Sequence, residues 1–130
     1  MAADMRSALP SAQETKRLRA LLNIMKIFSD LQQDFPVSYI QAFLAVAAKP
    51  GQNGVDYAKD LEILQPTISR RIAEIGAKSR GKAYGKGGWK LVESRFGSED
   101  LRSKFTYLTP KGARIIDAIH RELAALESSK

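Results

Sequence analysis

The feature that most constrains this fold is a pair of short helical patterns joined by only three residues. Val55–Leu61 and Gln65–Lys78 carry apolar residues at helical spacing, and residues 62–64 lie between them. So short a turn makes two helices cross steeply, and the small Ala58 suits their close approach. The residues from which we expect one shared core are Leu61, Ile63, Ile68 and Ile72. The pattern predicts a helix-turn-helix.

Two further helices are predicted before this pair. The first begins at Ser11, where Glu14 completes a capping-box pattern, and ends near Asp34 because Pro36 disfavours helical geometry at the residue before it. The second spans Val37–Ala48 and is ended by the turn-forming residues 49–54. Residues 1–10 are small and polar, so we expect a disordered tail there.

A β-hairpin and a last helix are predicted after the pair. Leu91–Phe96 and Lys104–Leu108 are rich in branched and aromatic residues, with a Gly-Ser-Glu-Asp turn between them. Thr109 and Pro110 have the residue types of an N-cap and a first helical position, and the helix should run to about Leu126. The whole order predicts a mainly α fold with a small β-hairpin, a winged helix-turn-helix. We expect residues 11–130 to form a single domain, with the core and wing at 37–108 and outer helices at 11–35 and 110–128.

The first helix is apolar over an unusually wide arc, roughly 220° at 100° per residue. A surface helix of a monomer usually buries a stripe somewhat over 100° wide. The helix therefore needs to be covered on two sides. One side can pack on its own domain, and a second copy of the chain is the simplest cover for the other. A central helix wrapped by its own domain is the alternative. The residues expected in a dimer interface are Leu18, Leu21, Leu22, Met25 and Phe28, with Ile119 and Leu123 from the last helix.

Basic residues are concentrated in the middle of the chain. Residues 64–104 hold ten basic and four acidic residues, a net +6 out of +7 for all 130 residues. A localised positive field favours a polyanionic partner, through attraction and through counterion release. Within this stretch, residues 79–90 are rich in glycine and basic residues, and we expect them to form an exposed loop. A basic loop that only aids solubility is the alternative.

Composition excludes several classes of protein. The absence of cysteine rules out disulfides, thiolate metal sites and a cysteine nucleophile, and a single histidine rules out histidine-rich metal sites. No apolar run reaches the roughly 18 residues of a membrane span, and residues 1–10 hold no signal-peptide core. We therefore expect a soluble cytoplasmic protein that binds no metal, cofactor or membrane.

The sequence offers no convincing catalytic site. The glycines at 81–87 lack the spacing of a phosphate-binding loop, and His120 has no nucleophile motif near it. Glu99 and Asp100 lie at a predicted hairpin turn, where turn formation is the more ordinary role. The prediction is that this chain is not an enzyme.

Two segments resemble the MarR-type (multiple-antibiotic-resistance regulator) winged-helix family. Gln65-Pro66-Thr67-Ile68-Ser69-Arg70 looks like the start of a bacterial recognition helix. Residues 91–95, 99–102 and 108–112 are similar to that family's wing and following helix start, including its Asp-x-Arg pair at Asp100 and Arg102. The resemblance covers roughly residues 37–126. It departs from the family at Glu62, where a turn glycine is usual, at Leu64, where a capping hydroxyl is usual, and in a longer basic insert at 76–90.

The resemblance implies a homodimer that binds double-stranded DNA. The recognition helix would enter the major groove, Arg102 braced by Asp100 would enter the minor groove, and basic residues would contact phosphates. The expected recognition-helix contacts are Gln65, Pro66, Thr67, Ser69, Arg70 and Arg71. The expected wing contacts are Arg95, Asp100, Arg102 and Lys104, and those of the basic insert are Lys78, Arg80, Lys82, Lys86 and Lys90.

Three functions fit this sequence. The first is a sequence-specific transcriptional regulator that binds a palindromic site in the nucleoid. The second is a replication or nucleoid accessory protein with little sequence preference, which the long basic insert favours. The third is a protein–protein adaptor built on a winged helix, since a fold does not fix a function. Many relatives of the family sense small phenolic or similar ligands; nothing in the sequence identifies one, and a regulator without a ligand fits equally well.

Overall fold

The computed structural model describes residues 9–76, 89–97 and 103–128. The predicted element order is confirmed, and with it the mainly α fold with one β-hairpin. The elements are α1 Ala12–Leu31, α2 Val37–Ala48, α3 Gly54–Leu61, α4 Gln65–Ile75, β1 Val92–Phe96, β2 Lys104–Leu108 and α5 Pro110–Ser128.

Helix α1 begins with the predicted capping box. The Glu14 backbone N–H donates to Ser11 Oγ at 3.1 Å, and the Ser11 N–H donates to Glu14 Oε1 at 2.8 Å. The bond from the Ser11 N–H, with a smaller contribution from the Ser11 side chain, lowers the pKa of the Glu14 carboxyl, because a hydrogen bond to the carboxylate favours its charged form. The helix ends at Leu31, earlier than the predicted Asp34. The reason is an extended Gln32, whose carbonyl accepts from the Phe35 N–H at 3.0 Å in a turn that leads into Pro36.

The turn between α3 and α4 depends on a left-handed residue. Glu62 has φ 57° and ψ 45°, the conformation that glycine adopts most easily. Its neighbour Ile63 donates its N–H to the Ala58 carbonyl at 3.0 Å, which closes α3. Helix α4 then starts after Leu64, which makes no side-chain capping hydrogen bond. The backbone of this turn therefore has a left-handed residue and a helix N-cap at positions 62 and 64, although Glu62 replaces the usual glycine and Leu64 the usual capping hydroxyl.

Helix α4 ends at Ile75 rather than at the predicted Lys78. The Gly76 N–H closes the last turn by donating to the Ile72 carbonyl at 3.0 Å. The chain returns at the same point, because Lys90 donates its N–H to the Gly76 carbonyl at 2.9 Å and Leu91 to the Ile75 carbonyl at 2.8 Å. The basic insert therefore leaves and rejoins the core at the C-terminal end of α4.

Trp89 corrects the prediction that residues 79–90 are an exposed loop. Its side chain is buried, and its ring centroid lies 4.6 Å from that of Phe35 and 5.8 Å from that of Tyr39. Phe35 in turn packs on Phe28 of α1. The tryptophan thus fixes the end of the insert to the α1–α2 junction, since aromatic burial outweighs the polar composition of the segment around it.

The wing pairs β1 with β2 antiparallel, in the register Val92 with Leu108 and Phe96 with Lys104. An isolated antiparallel β-bridge, not predicted from the sequence, joins Gln52 to Thr106 of β2. Thr106 donates its N–H to the Gln52 carbonyl at 3.0 Å, and the Gly51 N–H donates to the Thr106 carbonyl at 2.7 Å. The turn before α3 is therefore hydrogen-bonded to β2 of the wing.

Helix α5 starts at the predicted Thr109 cap, whose Oγ1 accepts from the Gly112 N–H at 3.0 Å. It packs along α1, where Asn23 Nδ2 donates to Glu122 Oε1 at 3.1 Å. None of the helices in the described ranges is long and apolar enough to cross a membrane.

Candidate nucleic-acid interface

Helix α4 divides sharply between a buried and an exposed face. Its apolar stripe, Ile68, Ile72 and Ile75, is buried against the other helices because these side chains recur at helical spacing. The opposite side carries the predicted recognition residues. Gln65, Pro66, Ser69 and Arg70 are exposed there, while Thr67 and Arg71 are half-buried at its border.

The exposed face of α4 has mostly short side chains and few charges, which suits entry into the major groove of a duplex. Gly54, at the start of α3, lies beside Ser69; a Cβ built on this glycine would be 3.4 Å from Ser69 Oγ. Arg70 is exposed, and among the described residues it forms no ion pair, so its guanidinium is available to a ligand. Such a fork can donate two hydrogen bonds to one guanine edge.

The wing holds Arg95 between an aromatic ring and a carboxylate. The guanidinium carbon lies 4.8 Å from the Tyr107 ring centroid, and Nε lies 3.3 Å from Glu93 Oε1. Both contacts involve the same face of the hairpin, because Glu93 pairs with Tyr107 across the strands. They restrict the rotamers of Arg95 and leave its terminal nitrogens for another acceptor.

Lys104 lies on the opposite face of the hairpin from Arg95. Its Nζ is 5.3 Å from the Phe96 ring centroid, and these two residues are directly paired. Arg95 pairs with Phe105, so these two side chains share one face of the hairpin. Side chains alternate between faces along a strand, so Lys104, the neighbour of Phe105, points to the other face. The predicted wing cations therefore do not form one patch; they flank the hairpin on both sides.

Several predicted contacts lie outside the described residues: Lys78, Arg80, Lys82, Lys86, Asp100 and Arg102. Of the predicted cations of the basic insert, Lys90 alone lies within the described residues. Its side chain is exposed, its φ is 57°, and its carbonyl accepts from Thr109 Oγ1 at 2.6 Å. Residues 98–102 are flanked by Gly97 and Ser103, which are joined by a backbone hydrogen bond of 3.0 Å.

The predicted dimer residues separate into two groups. Leu18, Leu21, Leu22 and Met25 line one side of α1 and are 38–62% exposed, and Leu123 of α5 is 45% exposed. Phe28 and Ile119 are instead buried within this chain, at 1% and 6% exposure. The correction has a simple cause: Phe28 faces α2, where its ring packs edge-on against Phe43. The unpartnered apolar surface therefore excludes these two residues.

Sequence reasoning missed one buried polar group near this interface. Tyr57 of α3 is fully buried, and its hydroxyl bonds with the turn before α3. Only the fold places this hydroxyl beside the wing, 3.4 Å from the Thr106 carbonyl. Within the described ranges, no group of three or more His, Asp or Glu side chains is arranged to hold a metal.

No protein-family model matches the chain, and no curated protein matches it. Solved structures do. A mutant of S. aureus MepR bound to an oligodeoxyribonucleotide has a TM-score of 0.59 at 20% identity, with 93% of this chain and 82% of that chain covered. The transcriptional repressor CouR bound to a 23-mer DNA duplex has a TM-score of 0.53 at 21% identity, with 95% and 78% covered.

A MarR family transcription regulator matches with a TM-score of 0.53 at 24% identity, over 89% of this chain and 72% of that chain. The three structures cover 89–95% of this chain, which has the helices and the β-hairpin described above. The chain therefore has the MarR-type winged-helix fold.

Proposed function

We propose that this chain is a double-stranded DNA-binding transcriptional regulator that acts as a homodimer on a palindromic site. The observation that carries the proposal is the exposed face of α4, with Arg70 free of ion pairs among the described residues at its centre. A regulator needs a helix that projects beyond its own core, and α4 does so while its isoleucines hold it in place. MepR and CouR, with the same fold, were solved with DNA.

On this proposal, Gln65, Pro66 and Thr67 approach base edges and Arg70 pairs with a guanine. Arg71 and Ser69 lie where the helix borders the phosphates. Arg95, Lys104 and Lys90 add phosphate contacts, and Asp100 and Arg102 are proposed at the minor groove. The basic insert, with Lys78, Arg80, Lys82 and Lys86, is proposed to follow the DNA backbone, because counterion release rewards positive charge near a duplex.

The homodimer is proposed from the exposed apolar side of α1. Leu18, Leu21, Leu22 and Met25 have the i, i+3, i+4, i+7 spacing of a helix–helix contact, and Leu123 of the adjacent α5 continues the surface. An isologous pair would present two α4 helices related by a twofold axis, so each dimer would bind two half-sites about one helical turn apart. The domain boundaries at 11–35, 37–108 and 110–128 follow the same division, with the outer helices forming the dimer.

Binding with little sequence preference is the second candidate, and the net +6 of residues 64–104 favours it. Catalysis is no part of the proposal. A protein of this function acts where the chromosome is, so the cytoplasm is its proposed location, and a small-molecule effector is not assigned.

Selection of bound duplexes from a random-sequence pool tests the proposal. A regulator returns a palindrome; an accessory protein returns duplexes without a common motif. A protein–protein adaptor retains no duplex even at low salt. The last two results would each overturn the proposed function, and they differ in whether DNA is bound at all.

A further inference from the structure

The Tyr57 hydroxyl lies where three segments of the chain meet. It donates to the carbonyl of Lys49, at the end of α2, over 2.6 Å, and it accepts from the Gln52 N–H over 3.2 Å. The carbonyl of Thr106 in β2 is 3.4 Å away. Helix α3, the turn before it and the wing sheet therefore meet at one phenol oxygen.

The same turn is held from its other side by the wing. Gly51 donates to the Thr106 carbonyl, and its left-handed backbone, at φ 85°, lies against the Tyr107 ring. A Cβ added to Gly51 would be 3.2 Å from Tyr107 Cε1. The turn from Lys49 to Asn53, which we call the joint, is thus clamped between Tyr57 and β2.

The joint connects the two parts that must contact one duplex. Helix α3 packs on α4, and β2 carries Lys104 and pairs with the strand of Arg95. Burial raises the pKa of the Tyr57 hydroxyl, so it stays protonated and keeps its donor at neutral pH. A change at this oxygen alters how the wing is held relative to α4 without removing any residue from the DNA-facing surface.

We propose that Tyr57 is a positioning residue that sets the wing relative to the recognition helix, and that it acts on DNA affinity through the wing alone. The inference rests on the proposed function, since it requires that both elements bind one duplex. A residue that merely stabilises the fold would alter the melting temperature and leave the affinity of the folded protein unchanged.

The test compares Tyr57→Phe with Tyr107→Phe as a matched control. Both changes remove one phenol oxygen, but among the described residues the Tyr107 hydroxyl makes no hydrogen bond, and its ring still packs on Arg95. Affinities are measured by fluorescence anisotropy, on a duplex recovered by selection, at a temperature where circular dichroism shows full folding. Each variant is made in the wild-type chain and in a wing-deficient chain, in which the three cations proposed for the wing are removed by Arg95→Ala, Arg102→Ala and Lys104→Ala.

We expect Tyr57→Phe to weaken binding by about 2-fold to 150-fold, the range that couplings between neighbouring groups span. The slope of log affinity against log salt should become shallower by about 0.9 for each phosphate that the wing no longer reaches. In the wing-deficient chain the same change should have no further effect, and Tyr107→Phe should have little effect in either chain.

Three other results would overturn the inference. Unchanged affinity and slope for a folded Tyr57→Phe protein, beside a wild type that binds, overturns it and leaves the proposed function intact. An equal loss in the wing-deficient chain overturns it too, because the effect would not pass through the wing. If Tyr57→Phe does not fold, Gly51→Ala is used instead, because it displaces the same joint from the Tyr107 side. That variant must show the same decrease in affinity and in the salt slope, and wild-type affinity in it also overturns the inference.

Discussion

Gly112, in the first turn of α5, packs its α-carbon against the carbonyl oxygen of Leu91, just before β1. That oxygen also accepts from the Thr109 N–H at 3.1 Å, and a Cβ on Gly112 would overlap it. The start of α5 and the base of the wing therefore meet as backbone against backbone, which leaves no flexible side chain to yield.

Gly112→Ala should lower the free energy of unfolding by more than about 2 kcal/mol, at the upper part of the range for overpacked cores. Gly54→Ala is the matched control, because a Cβ there meets Ser69 Oγ at an ordinary 3.4 Å. Urea denaturation of both variants checks this, and equal stabilities would contradict the close packing at Leu91.

Glu62→Gly should raise the free energy of unfolding by about 0.5–1 kcal/mol. Glu62 is exposed and left-handed, and glycine removes the steric cost of that conformation, though its freer unfolded state offsets some of the gain. Thermal denaturation measures the change. A destabilised Glu62→Gly protein would show that the glutamate side chain makes a contact that outweighs the backbone cost.

Leu21→Glu should convert a dimer into monomers, because it buries a charge in the proposed α1 interface. Lys26→Gln makes the same change in net charge on the polar side of α1 and should leave the dimer intact. Sedimentation equilibrium distinguishes the two masses. A wild-type chain that is monomeric at micromolar concentration would contradict the proposed homodimer.

Arg95→Ala and Lys104→Ala should each make the salt dependence of DNA binding shallower by about 0.9, one phosphate contact apiece. They lie on opposite faces of the hairpin, so their effects should add in the double variant. Anisotropy titrations between low and physiological salt measure the slopes. An unchanged slope in either variant would place that residue away from the phosphates.

Most of this fold could be predicted from the sequence, because the residues that begin and end its helices and strands lie close to those ends in the chain. Ser11 and Glu14 form the expected capping box, and Thr109 caps α5 as its residue type predicts. The errors come from contacts between distant segments. Trp89 is buried by Phe35, and Gln52 joins the wing through Thr106, neither of which a local pattern contains.

The sequence predicted part of the candidate site in the same way. The periodicity of Ile68, Ile72 and Ile75 was enough to place Arg70 on the exposed side of α4. It could not show that Phe28 packs into the chain's own core, because a wide apolar arc does not say which part of it the same chain covers. The role of the Tyr57 hydroxyl depends on the backbone positions of three segments and has no sequence signal.

Arg70→Ala should lower affinity for the selected duplex and reduce its preference over other sequences. A guanine contact through two hydrogen bonds is worth about 1–3 kcal/mol of discrimination. Arg121→Ala removes the same charge from an exposed position on α5 and should leave the preference unchanged. Equal losses for selected and random duplexes would assign Arg70 to phosphate rather than base contact.

The most direct test is a competition titration of the wild-type protein at physiological salt, with the selected duplex against a scrambled duplex of the same length and composition. A sequence-specific regulator should prefer the selected duplex by a factor of about 1,000 or more. Equal affinity for the two duplexes would contradict base reading by α4 and, with it, the proposed function.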